Sequence, residues 1–187
     1  MPLPSLDGLS IAVLATNGFE QSELLEPRDA LRDAGATVHV VSPSSGPIKG
    51  WHQGKWGDTV PVDVPLAEAD VADYAALVLP GGQINPDVLR INEAAVAFVT
   101  AFAEAGKPVA AICHAPWLII EAGLAEGRDV TAWPSVRTDL TNAGATVHDR
   151  EVVRCQNGPF ELITSRKPGD IPAFNRAVAE AAAQVAA

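Results

Sequence analysis

Cysteine, aromatic residues and positive charge are all scarce in this chain: two cysteines, 5% aromatics, and 13 Lys+Arg against 23 Asp+Glu in 187 residues. Each scarcity excludes something. Two cysteines 42 positions apart, Cys113 and Cys155, cannot form a disulfide framework or a CxxC zinc or redox motif, and free thiols fit a reducing cytosol. A formal charge of −10 without a basic run argues against nucleic acid and anionic membrane as partners, because binding phosphate requires clustered cations. No apolar run approaches the ~18–20 residues that span a bilayer. The N-terminus lacks a basic segment followed by an apolar one, so no secretory signal is expected. A soluble, cytoplasmic protein is the resulting expectation.

What the chain does contain is a repeated alternation. Short apolar runs at Ser10–Ala15, Thr37–Val41, Tyr74–Leu79 and Pro108–Ile112 end in turn residues such as Thr16-Asn17-Gly18 and Pro80-Gly81-Gly82. Between them lie stretches of helical spacing, Glu20–Ala34, Ile91–Ala105 and Ala115–Ala122, the first and last stopped by Gly35 and Gly123. Strands apolar on both faces and separated by helices predict a mostly parallel sheet covered on both sides, an α/β three-layer sandwich. Residues 48–64 look like a β-hairpin addition, as do Glu151–Cys155 and Phe160–Thr164 around Gln156-Asn157-Gly158. A last helix is expected from Ile171 to about Val185. With no linker or repeat, residues 1–187 read as one domain.

One junction carries chemistry. The strand Pro108–Ile112 runs directly into a helix, and Cys113-His114 falls between them. Ligands gather at the carboxyl ends of parallel strands, which places Cys113 at the functional edge. Backbone N–H groups at a helix start favour thiolate over thiol, so a lowered Cys113 pKa is expected. A buried free cysteine is also a common inert core residue, and adjacent side chains at a turn usually diverge, so the pair alone does not define a catalytic dyad.

Three segments in order, Asn17-Gly18-Phe19-Glu20, Leu77-Val78-Leu79-Pro80-Gly81-Gly82 and Ala111-Ile112-Cys113-His114-Ala115-Pro116, resemble the signatures of the ThiJ/PfpI superfamily, in its PfpI-like intracellular protease and stress-protein branch. Shorter matches, including Gly127-Arg128 and Thr164-Ser165-Arg166, extend the likeness from about residue 10 to the C-terminus. The resemblance implies a flavodoxin-like fold. It further implies Cys113 as nucleophile, Glu20 as the acid contacting its sulfur, and Gly82 and His114 as backbone oxyanion donors. His114 corresponds to the family's triad histidine, whose acid comes from a neighbouring subunit. Asp87 is the nearest match for that acid, although Gln83-Ile84-Asn85 makes the preceding loop one residue longer and the acid is Asp rather than Glu. Ala115 stands where the pattern has glycine, and its methyl group is expected to restrict the elbow.

The activity so implied is a cysteine-dependent hydrolase acting on peptides or on carbonyl adducts of the glyoxalase or deglycase kind, in a homo-oligomer. A redox-stress protein whose Cys113 is oxidised is the alternative. A glutamine amidotransferase is disfavoured, because its Gly-x-Cys-x-Gly elbow and late His-x-Glu pair are absent. No G-x-G-x-x-G or P-loop occurs, so no nucleotide cofactor is expected. His39 and His148 are isolated and suggest no metal site. Trp51, His52, Trp56, Trp117 and Trp133 are candidates for the walls of a cleft, and Cys155 is expected to pack.

Overall fold

A computed structural model describes residues 2–185. The chain enters through strand β1 (Ser10–Leu14), helix α1 (Gln21–Asp33) and β2 (Thr37–Ser42). A hairpin of β3 (Ile48–His52) and β4 (Lys55–Val60) follows, then a short β5 (Val64–Pro65) and β6 (Ala76–Leu79). Next come α2 (Ile84–Leu89), α3 (Glu93–Glu104), β7 (Val109–Ile112) and α4 (Pro116–Glu121). The last third holds β8 (Asp129–Val130), α5 (Arg137–Asn142), β9 (Thr146–Val147), β10 (Val152–Cys155), β11 (Leu162–Ser165) and α6 (Ile171–Val185).

Seven strands form the central sheet in the order β10-β11-β7-β6-β1-β2-β5. All neighbours run parallel except the edge pair β10–β11. Strand side chains alternate between faces, and the burial divides accordingly. Ala12, Leu14, Leu77, Leu79 and Ala111 pack with Phe98 and Phe102 of α3 and with Leu118 of α4. Ile11, Val13, Val78, Ala110 and Ile112 pack with Leu24 and Leu31 of α1 and Phe174 and Val178 of α6. The α/β sandwich with helices on both faces follows from this two-sided apolar character.

The hairpins differ from the expectation in one respect. Residues 48–60 do form a separate two-stranded ribbon, turned by Gln53 and Gly54 with φ of 49° and 81°. Val64, read as the end of that hairpin, instead joins Pro65 in a short strand that extends the main sheet beside β2. Likewise β10–β11 is an antiparallel pair as expected, but β11 lies inside the sheet against β7. All four residues of β11 are buried, so this strand needs cover on both faces. Arg128 is also buried, and its guanidinium holds the β10–β11 loop by donating to the carbonyls of Asn157, Cys155 and Phe160.

Candidate active site

Three loops at the carboxyl ends of the adjacent strands β1, β6 and β7 converge on Cys113. The register of β6 on β7 pairs Leu79 with Ala111. Two residues further along each strand, Gly81 therefore meets Cys113. A side chain at Gly81 would lie 2.7 Å from Cys113 Cβ and 2.5 Å from Glu23 Oε2, so glycine is the residue that fits. Gly82, at φ 79°, is equally confined by the Glu20 nitrogen at 2.5 Å.

Cys113 itself adopts φ 65°, a left-handed conformation that strains a residue bearing a side chain. The elbow is pinned on both sides: the Cys113 N–H donates to the Ser165 carbonyl and the Cys113 carbonyl accepts from the Trp133 N–H, each at 3.0 Å. Ala115, by contrast, has φ −56°. The positive φ falls on the cysteine, so the methyl group of Ala115 imposes no restriction of the expected kind.

The same twist brings adjacent side chains together where divergence is the usual outcome. His114 Nδ1 lies 3.1 Å from Cys113 Sγ, and Nε2 lies 3.3 Å from Ser135 Oγ. In the tautomer with its proton on Nε2, that N–H points to Ser135 Oγ and Nδ1 is free to accept from the thiol. His114 is stacked on Trp133 (5.7 Å between centroids) and meets Trp117 edge-on (5.2 Å). Burial lowers its pKa, which keeps the ring a neutral base.

The acid at the sulfur is Glu23 rather than Glu20. Glu23 is fully buried, its Oε2 accepts from the Gly81 N–H at 3.0 Å, and its carboxyl couples to Cys113. Burial first, and then the negative charge of Glu20, push Glu23 up to about 8, so it carries a proton at neutral pH. Its Oε1 makes no hydrogen bond, which leaves a buried atom available to hold that proton. Glu20 sits one turn earlier at the mouth, accepting from Ser22 Oγ at 3.2 Å. The helix explains the exchange: Glu23, Leu24, Pro27 and Leu31 form the buried face of α1. That stripe was the available sequence signal for Glu23.

The expected depression of the Cys113 pKa is also reversed. Burial and then the charge of Glu23 raise it, while the Gly82 and His114 N–H groups, aimed at the sulfur, oppose them. Protonation of Glu23 removes the repulsive part. The carboxyl and thiol thus ionise as a coupled pair. The N–H groups of Gly82 and His114 converge on one point at the sulfur.

Asp87 lies on the exposed face of α2, and no hydrogen bond or ion pair joins it to His114 among the described residues. Asn85, missed in the sequence, is completely buried. Its Oδ1 accepts from the Thr16 N–H at 2.7 Å, and its Nδ2 donates to the carbonyls of Pro80 and Gly81. It ties the loop after β1 to the loop after β6.

A cavity of about 210 Å³ opens onto the sulfur, walled by Trp51 and Trp133 and bordered by Glu20, Gln83 and Pro168. Trp51 reaches it because the hairpin docks on the loop before α1: the Trp51 N–H donates to Phe19 O at 2.7 Å, and the Gly18 N–H to Lys49 O at 2.8 Å. Trp56 lies behind Trp51, 5.4 Å away and 49% exposed, and neither it nor His52 lines the cavity. Cys155 is buried outside the site, its sulfur accepting from the Asp129 N–H. Among the described residues no cluster of His, Cys, Asp and Glu could hold a metal, and no helix is long and apolar enough to cross a membrane.

General stress protein 18 of Bacillus subtilis is 45% identical over 170 residues, spanning 90% of this chain and 95% of that protein. Deglycase PfpI of Pyrococcus furiosus is 40% identical over 168 residues, spanning 90% and 96%. The crystal structure of Drosophila melanogaster DJ-1beta superposes with a TM-score of 0.80 at 29% identity, over 95% of each chain. The DJ-1/PfpI family description matches residues 9–181. With nearly the whole length accounted for, from the strand before Glu20 to the last helix, this chain belongs to the DJ-1/PfpI family.

Proposed function

We propose that the protein is a stress-response cysteine hydrolase of the PfpI type, acting on small carbonyl adducts in the manner of a deglycase or glyoxalase. The observation that carries this reading is the strained elbow holding Cys113 Sγ 3.1 Å from the neutral His114 Nδ1. The thiol proton passes to Nδ1 as the sulfur attacks the carbonyl carbon, and the carbonyl electron pair moves onto oxygen. The Gly82 and His114 N–H groups receive that oxyanion. Protonated Glu23, whose carboxyl couples to the sulfur, donates to it as the thiol gives up its proton. In an amine adduct of a 2-oxoaldehyde the amine departs from the carbon that sulfur takes, carrying the proton held by His114. The resulting thiohemiacetal moves its C–H proton to the neighbouring carbonyl carbon through an enediol, which gives a thioester with no external oxidant. Water hydrolyses that thioester to a 2-hydroxy acid and restores the thiol.

The size of the cavity favours small carbonyl adducts over peptides. About 210 Å³ is below the range of pockets that enclose drug-sized ligands, yet it accommodates a fragment of a few heavy atoms. The names of the relatives, a stress protein and a deglycase, are in keeping with this. Two free buried cysteines support a cytoplasmic location. A homo-oligomer is supported by the face bearing Asp87, where Ile84, Val88 and Ile91 are 40%, 45% and 83% exposed. The test is Cys113→Ala assayed on methylglyoxal adducts and on a fluorogenic peptide in parallel. Loss of adduct turnover by at least about a thousandfold is expected, whereas wild-type-like turnover by the variant overturns the reading.

A further inference from the structure

The mouth of the cavity has a chemical bias of its own. Its walls are the rings of Trp51 and Trp133, the latter 37% exposed, and its one charged lip group is the half-buried Glu20 carboxylate. No Lys or Arg lines it. Arg137 and Arg166 nearby in sequence are both engaged by Asp149, and Arg166 also by Asp170. Lys167, beside Pro168, is exposed and outside the lining. The hydrogen bond from Trp51 to Phe19 and the backbone bridge between Glu20 and Trp51 hold the carboxylate and the ring side by side. Aromatic faces together with a carboxylate attract a cation and repel an anion.

We propose that Glu20, Trp51 and Trp133 form a charge-selecting mouth, which admits carbonyl compounds carrying a positive charge near the carbonyl and disfavours carboxylate-bearing ones such as 2-oxo acids. This rests on the reading of Cys113 as the nucleophile, and it names the substrate class of that site. The two requirements occupy different depths. The developing oxyanion meets neutral N–H donors at the base, while the rest of the substrate passes the carboxylate at the lip. At a separation of ~6 Å and an effective dielectric between those of protein surface and water, one unit charge changes a rate by about tenfold, in opposite directions for cation and anion.

The experiment uses two methanethiosulfonate reagents of similar size, one ending in trimethylammonium and one in sulfonate. Each transfers its alkylthio group to Cys113 and releases methanesulfinate, and the rates are read on the Cys113 peptide by mass spectrometry. They are normalised to a small free thiol. The cationic reagent should react at least tenfold faster with the wild-type protein. Glu20→Gln should reduce that ratio at least fivefold, and Glu20→Asp should keep it. Glu26→Gln, which removes one exposed charge elsewhere on α1, should also keep it, separating the local effect from the overall charge of −10. Glu20→Ser serves if Glu20→Gln does not fold. A wild-type ratio near one overturns the proposal, as does a ratio unchanged by loss of the Glu20 charge. Labelling requires no turnover, so this result and that of the Cys113→Ala assay fail independently.

Discussion

Replacing Glu23 by Gln should stabilise the protein while disabling it. The glutamine oxygen can still accept from the Gly81 N–H, and its shape matches that of the protonated acid, but it has no proton to lose. In the wild type the folded Glu23 ionises near 8 against an ordinary value of 4.5. Because the folded value is the raised one, the unfolded chain releases this proton first. The neutral carboxyl contributes fully below pH 4.5, and the contribution is lost as pH rises, until the folded form also ionises near pH 8. Carrying the group across that interval amounts to about 5 kcal/mol, of which about 3 kcal/mol is already lost at pH 7. Glu23 is fully buried, so solvent screening reduces these figures little. Urea unfolding of both proteins at a series of pH values from 4 to 9 measures the difference. The two should be of similar stability at pH 4, with Glu23→Gln ahead by several kcal/mol at pH 8. Parallel stability curves for the two proteins would refute the assignment of Glu23 as a buried, protonated acid. Turnover should fall in the variant, the trade expected of a group kept for chemistry.

Two further predictions concern the partner of His114 and the exposed face of α2. Ser135→Ala removes the partner of His114 Nε2 and should lower kcat about fivefold, the equivalent of one hydrogen bond. It should also move the limb of the pH–rate profile governed by His114 to lower pH, with Ser135→Thr restoring both; an unchanged profile would exclude a positioning role. Val88→Asp, placed in the exposed apolar face of α2, should shift the protein toward monomer in sedimentation experiments, and an unaltered mass distribution would show that this face is not the interface.

The sheet and its main helices were legible because the signal was local. Runs such as Ala76–Leu79 are apolar throughout, and Gly35 and Gly123 end helices where the chain turns. The position of Cys113 and His114 between a strand and a helix was legible because such a junction leaves a sequence trace, and the structure has them there; Gly82 entered only through the family resemblance. The identity of the acid was not. Glu20 and Glu23 both fall in or beside the first turn of α1, where either suits the helix dipole, and which one is buried depends on the loop after β6 packing over α1. Ser135 and Asn85 act across 21 and 69 residues respectively, distances over which periodicity carries no information. The raised thiol pKa was hidden for the same reason, since it follows from burial and from Glu23, neither visible at the Cys113 motif itself.

The pairing of Leu79 with Ala111 also sets the tolerance to which the site is built. The sheet acts as a ruler. Cys113 and Gly81 each lie two residues beyond the Leu79–Ala111 pair, so the register of the strands sets where the elbow and the facing loop begin. A slip of one residue between β6 and β7 would displace one against the other by about 3.3 Å and turn the facing side chains to the opposite surface. The geometry at the sulfur therefore starts from the core: substitutions deep in β6 or β7 that disturb the register are also substitutions in the surroundings of Cys113.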